Sequence, residues 1–414
     1  LKPIGVGTQL VESLSSYKSR LASYHTCSTG TLVMNQIVPL IFQLSERYYK
    51  KDSKNSFARF VDRNSGALNG NGLTANSFVL ALERLTFCSS LKFLTLLSWN
   101  NIFSSIGLMR PHSAWCPICF EDWKQNNQPI YETLIWKLKV INVCPSHQTL
   151  LQTKCQNCQK ILPQLSSRSQ PGYCSKCYQW LGIKKDDIHD IEFKCMPSCE
   201  LAWQAFVAEN IGELLARTPT LLSIPSREDV SQNLKKCIDL STGGNRQAFA
   251  ELICMTTSAV WGWYKGSSLP QILVLLRICY CLNISLIDFF NGNISLFDSN
   301  HINTLHPNQH SKISRHFPVD KTIILLSTYL ESEPPISMEA VAQKLQRDKR
   351  ILYRHFPSLC MRIASRYKKY RSELSRQRIE NLCFKAKSAA NELASIGVNP
   401  SEAKVQAHLK WKEH

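Results

Sequence analysis

The sequence predicts a mainly α, multidomain protein with a helical amino-terminal domain, two small zinc-binding modules of knuckle or ribbon type, and several helix-turn-helix domains. Three observations predict it. Apolar residues recur at helical intervals over much of the chain. Four pairs of metal-type ligands interrupt that pattern between Cys116 and Cys177. Positive charge gathers at the carboxy-terminal end in short helical patterns. The expected divisions of the 414 residues are 1–110 (helical), 111–200 (tandem zinc fingers), 201–300 (helical, with one helix-turn-helix), 301–320 (linker) and 321–414 (basic, tandem helix-turn-helix).

Residues 11–24 carry Val11, Leu14, Tyr17, Leu21 and Tyr24 on one helical face. A second helix is expected near Val38–Tyr49, and another over Ser77–Leu85. Lys50–Thr74 reads as loops, and Trp99–Leu108 is ambiguous. Residues 1–110 contain no Gly-rich phosphate loop and no nucleophile motif.

The ligand pairs are Cys116/Cys119, Cys144/His147, Cys155/Cys158 and Cys174/Cys177, each with two residues between its members. A C-x-x-C turn places two thiolates on one edge of a tetrahedron, so a second pair must close each site. In chain order the sets are Cys116, Cys119, Cys144, His147 and Cys155, Cys158, Cys174, Cys177. Their loops hold 24 and 15 residues. Eight ligands for two Zn²⁺ ions leave no open position, which makes the ions structural rather than catalytic. The competing reading is a disulfide framework, but no secretory segment argues for an oxidising compartment. Cys195 and Cys199 have no second pair. The remaining cysteines, Cys27, Cys88, Cys237, Cys254, Cys279, Cys281, Cys360 and Cys383, read as small core residues. Ile130–Val143 should begin as a helix that packs on the first site through Tyr131, Leu134, Ile135 and Leu138.

At this point the sequence resembles the TniQ/TnsD family of transposition target-selection proteins. The resemblance rests on ESLSSY…RLA…H at Glu12–His25, ALERLT at Ala81–Thr86, the WCPxC start of the first site, YExLIW at Tyr131–Trp136, CPxH and the following C-x-x-C pairs, over roughly residues 10–200. The family pattern often has Arg where this chain has Thr133. The resemblance implies a helical amino-terminal domain that contacts an AAA+ ATPase regulator of transposition.

Residues 244–290 are similar to a phage-repressor helix-turn-helix. Gln247, Phe249, Ala250 and Ile253 fall on its first helix, Cys254 stands at the turn position usually held by Gly, and Thr257–Lys265 forms the second helix. Its start presents Thr257 and Ser258, which are poor base readers. Two readings stay open: docking on a DNA backbone, or docking and packing of protein. His301–Pro318 reads as a polar linker with incidental histidines.

The net charge is +18, and Lys321–His414 holds 18 Lys and Arg against 9 Asp and Glu, half of the excess. Such a balance points to a polyanion partner. Ile323–Leu330 predicts a helix stopped by Pro334 and Pro335. Ser337 caps the next, with Val341 and Leu345 inward. Asp348–Phe356 is the candidate recognition helix, with Ile351, Leu352 and Phe356 buried and Arg347, Lys349, Arg350, Tyr353 and Arg354 outward. A basic helix with Arg366, Lys368, Lys369 and Arg371 suits a phosphate backbone. A separate helix over Asn381–Ile396 and a last motif with Ser401, Lys404, Gln406 and His408 complete the tandem. This tail looks like the DNA-binding extension of TnsD-type members.

The expectation is therefore a non-enzymatic, cytoplasmic, nucleoid-associated target selector. Its partners would be double-stranded target DNA and the AAA+ ATPase, with other transposition proteins beside them. The alternatives are an adaptor for an RNA-guided CRISPR effector complex, as in CRISPR-associated transposons, and a zinc-containing transcriptional regulator. The most apolar window, Ile272–Phe290, is interrupted by Arg277 and Asp288 and cannot span a bilayer.

Overall fold

In the computed structural model the described residues are 1–44, 65–183, 198–221, 223–294, 319–345, 347–402 and 404–405. They are mainly helical, and no strand occurs among them, only isolated antiparallel bridges. The chain divides into Leu1–Ser311 and Lys312–His414, a boundary inside the expected linker.

The first unit begins with α1 (Leu14–Tyr24), whose Ser13 side chain caps the helix by accepting from Ser16 N. Val11, Leu14, Tyr17 and Leu21 are buried as their spacing requires, but Tyr24 at the last turn is exposed. α2 (Thr29–Leu32) runs through a π turn into α3 (Val38–Leu44), and the rest of the helix expected to Tyr49 lies outside the described residues. α4 (Leu73–Thr86) extends the expected Ser77–Leu85 helix at both ends. Trp99–Leu108 resolves into short turns.

The helix expected at the start of Ile130–Val143 does not form. Only one 3₁₀ turn, Ile135–Lys137, is present. The reason lies in where the backbone bonds go: Leu134 N donates to Val11 O, Glu132 O accepts from Ser13 N, Arg110 N donates to Lys137 O and Lys139 N to Leu108 O. Thr133 through Leu138 are all fully buried, a pattern that leaves no solvent face for a surface helix.

α5 (Pro117–Gln125) opens the metal region. α6 (Ser198–Arg217) is followed by α7 (Arg227–Thr242), α8 (Arg246–Leu252), α9 (Thr257–Tyr264), α10 (Ile272–Cys281) and α11 (Leu286–Asn291), and it packs on the 3₁₀ turn and on α10 and α11. Segments 1–110, 111–200 and 201–300, expected as separate divisions, share one continuous core. Trp99 marks the junction. Its indole stacks at 5.2 Å on Phe290 and donates to Thr218 Oγ1 at 2.9 Å. Gln204 and Asn210 on α6 accept from Asn142 N and Leu286 N, so the helix is bonded on both sides.

The second unit has a small core of its own: Leu326 on α12 (Val319–Glu331), Met338, Val341 and Ala342 on α13 (Met338–Lys344), Leu352 on α14 (Lys349–His355), Phe356, and Cys360 and Ile363 on α15 (Pro357–Ser395). Ser337 caps α13 by accepting from Ala340 N, and Asp348 caps α14 by accepting from Arg350 N. Leu352 and Phe356 are buried as expected, whereas Ile351 is 38% exposed because it falls on the opposite side of so short a helix. The basic helix and the helix expected over Asn381–Ile396 are one 39-residue helix. No Gly or Pro interrupts its interior, and Glu373–Arg376–Glu380 pairs lie along its surface. Gly397, at φ +76°, stands just past its end.

Among the lone cysteines, Cys237, Cys279, Cys281 and Cys360 are buried as expected. Cys27, Cys88 and Cys254 are half-buried, and Cys383 is exposed on α15. Cys195 and the histidine-bearing stretch 301–318 lie outside the described residues.

Candidate metal centres and nucleic-acid interface

The eight ligands come together as the spacing predicts. In each set the ligand atoms all lie within 4.8 Å of one another. Three of the four pairs are built identically. In each, the first cysteine's carbonyl accepts from the N–H four residues on: Gln148 to Cys144, Gln159 to Cys155, Tyr178 to Cys174. Its own N–H donates five residues on, to Thr149, Lys160 and Gln179 carbonyls. Gln148, Gln159 and Tyr178 accordingly take positive φ, near +50 to +62°. The fourth pair uses a helix instead: Cys116 is the N-cap of α5, and its Sγ accepts from Cys119 N at 3.5 Å.

In the first set His147 Nδ1 lies 3.5, 3.3 and 3.7 Å from the sulfurs of Cys116, Cys119 and Cys144. Cys119 and Cys144 sulfurs are 3.6 Å apart. In the second set Cys155–Cys177 and Cys158–Cys174 are separated by 3.6 and 3.8 Å. A tetrahedral ion with metal–sulfur bonds of about 2.3 Å has ligand edges of roughly 3.8 Å. Both donor sets, three sulfurs with one nitrogen and four sulfurs, therefore have the geometry to hold a metal ion.

A group that the ligand spacing did not single out completes the first centre. Asp122, on α5, lies 2.9 Å from His147 Nε2. The carboxylate fixes the ring so that Nδ1 faces the thiols. Its signal was the i+3 spacing from Cys119 on a helix that Cys116 starts, which puts both on one face. The two centres are also bonded to each other's surroundings: Trp180 donates to Glu121 Oε2 at 2.8 Å and lies under Lys124. Gly172 is required beneath it, since a Cβ there would come within 2.5 Å of the indole.

The motifs Glu12–Tyr17 and Tyr131–Trp136 meet beside this region. Glu12, fully buried, accepts from Ser16 Oγ at 2.9 Å and pairs with Arg20 at 2.6 Å. Burial pushes its carboxyl up to about 7, against the pull of Arg20. Ser16 Oγ also accepts from Glu132 N, and Glu132 pairs with the fully buried Lys137. Burial likewise holds the Lys18 ammonium down, to about 7. Thr133 is fully buried and its hydroxyl lacks a hydrogen-bond partner.

In α8 and α9 Phe249, Ala250, Ile253 and Val260 are buried, Cys254 takes φ +58°, and Gly266 follows α9 at φ +67°. Thr257 and Ser258 are exposed at the start of α9. In the second unit Arg347, Lys349, Arg350 and Arg354 are exposed and Tyr353 is half-buried on the core. Lys349 pairs with Glu339 at 3.3 Å. Lys368, Lys369 and Arg371 are exposed along α15. Arg366 is already engaged: its guanidinium donates to Leu330 O and Ser332 O at 2.5 and 2.8 Å and pairs with Glu333, closing the end of α12. Ser401 and Lys404 are exposed, while Gln406 and His408 lie outside the described residues.

Fold and sites together define a helical protein built around two cysteine-rich, metal-type centres, with a separate basic helical unit. Residues 3–151 match the TniQ family model, and the chain carries a TniQ domain there. The match takes in the whole first ligand set and stops before the second. Comparison with curated proteins gives no match. No helix among the described residues is long and apolar enough to cross a membrane.

Proposed function

We propose that the protein is a target-site selector of a multi-protein DNA transposon, holding two structural Zn²⁺ ions. The second unit docks on an attachment-site duplex, and the TniQ domain recruits an AAA+ ATPase that brings the transposase. The carrying observation is the row of exposed cations on α14, Lys349, Arg350 and Arg354, standing over an independent core in a chain that carries a TniQ domain. A short helix capped by Asp348 and presenting guanidinium groups is what major-groove reading needs. Lys368, Lys369 and Arg371 then contact phosphates farther along the duplex. Closed sulfur-rich sets with no open position support structural zinc, and the role is that of an adaptor rather than an enzyme.

The test is a genomic footprint of the purified chain followed by affinity measurements on the protected duplex and a scrambled one. Arg350→Ala or Arg354→Ala is expected to cost about 1–3 kcal/mol on the protected sequence and to relax its preference. Equal loss on both duplexes would limit the tail to phosphate contacts and favour an adaptor whose address comes from an RNA-guided complex. Failure to co-purify with an AAA+ ATPase would leave a transcriptional regulator instead.

A further inference from the structure

The outward side of α9 carries an aromatic platform that sequence spacing did not single out. Trp261 is 40% exposed, and its ring lies beside that of Tyr264, with centroids 5.7 Å apart and planes 12° from parallel. Cations from three helices converge on it. The Arg246 guanidinium, from α8, sits 4.3 Å from the Trp261 centroid and 5.4 Å from that of Tyr264. Lys265 Nζ is 4.5 Å from Trp261, and Lys235 Nζ, from α7, is 5.0 Å from Tyr264. None of the three cations forms an ion pair among the described residues.

An aromatic face holds a cation in place without neutralising it, whereas a carboxylate would cancel the charge. The three positive charges are thus positioned and still available to an anion. An indole in the middle of the exposed face offers one N–H donor and no acceptor, too little to tell one base edge from another. The anion must be repetitive and need no sequence, and the chain's net charge of +18 favours a polyanion.

We propose that this face is a second DNA contact, in the first unit, which grips one phosphodiester strand without reading its sequence. Arg246, Lys265 and Lys235 take successive phosphates, and the Trp261–Tyr264 platform holds the guanidinium flat for charge-assisted bonds. This goes beyond the function proposed above, which assigns sequence reading to the second unit, and requires only that the full chain binds duplex DNA.

The experiment measures binding of the full chain to the footprinted and scrambled duplexes over a range of salt concentrations. Arg246→Ala/Lys265→Ala should lower the slope of log affinity against log salt by about 2, near 0.9 for each phosphate no longer neutralised. The weakening should be the same on both duplexes, with the preference between them intact. Trp261→Ala, which keeps every charge, should weaken binding about 2–5-fold, and Trp261→Phe should restore most of it. Thermal unfolding of each variant checks that the unit remains folded, with Arg246→Gln/Lys265→Gln as a second pair. An unchanged slope overturns the proposal, as does a change in sequence preference, and the first result would leave the face to an acidic protein. A falling slope in a chain with no preference between duplexes would sustain this contact while sinking the target-selector reading.

Discussion

Replacing Asp122 tests the assembly of the first metal centre. His147 presents Nδ1 to three sulfurs at 3.3–3.7 Å because Nε2 is held 2.9 Å from the Asp122 carboxylate. Loss of such an outer partner costs about 10–100-fold in metal affinity. The Asp122 side chain is 32% exposed, so its charge is partly screened, and asparagine keeps an oxygen that can accept from the ring. Asp122→Asn should therefore fall near the lower limit, about tenfold or roughly 1.4 kcal/mol. Asp122→Ala, which removes both charge and acceptor, should approach the upper one. Competition with a chromogenic chelator reads the effect as two release steps. The Cys155/Cys158/Cys174/Cys177 set serves as an internal reference, since its ligands do not touch Asp122. The reasoning is refuted if Asp122→Ala leaves both steps unchanged, or weakens both equally.

Four further outcomes follow from buried groups. Glu132→Ala strands the Lys137 ammonium in the core. Because Glu132 keeps some solvent contact, the expected cost is about 3 kcal/mol, read by denaturant unfolding, with Glu132→Ala/Lys137→Met regaining much of it. Leu352→Ala removes a fully buried side chain from the small core of the second unit and should cost about 2–4 kcal/mol, lowering one calorimetric transition without moving that of the first unit. Glu12 titrates at about 7 in the fold instead of the usual 4.5, so its contribution to stability is full below pH 4.5 and is lost as pH rises to about 7. Lys18 behaves oppositely, its contribution present above 10.5 and lost as pH falls to about 7. Glu12→Gln should flatten the stability of the first unit between pH 4.5 and 7, and Lys18→Met between 7 and 10.5; profiles that match the parent chain would contradict both assignments.

The sequence by itself determined the features that close over a few residues. The four ligand pairs were legible because a C-x-x-C or C-x-x-H turn is sealed by its own backbone, as Gln148 N to Cys144 O illustrates. The helix start at Ser337 and the turn at Cys254 were legible for the same reason: their hydrogen bonds and φ angles are local. Only the tertiary structure decided what depends on segments far apart. It kept Thr133–Leu138 out of a helix, because residues 11–13 and 108–110 supply the bonds that a helix would have made internally. It turned Glu12, Ser16 and Glu132, surface-like letters in the sequence, into one buried polar hub. It engaged Arg366 at the end of α12, although its charge alone assigned it to a phosphate. Composition specifies that a side chain is charged, but whether that charge meets solvent, a carbonyl or a ligand is settled by which backbone arrives beside it when the chain packs.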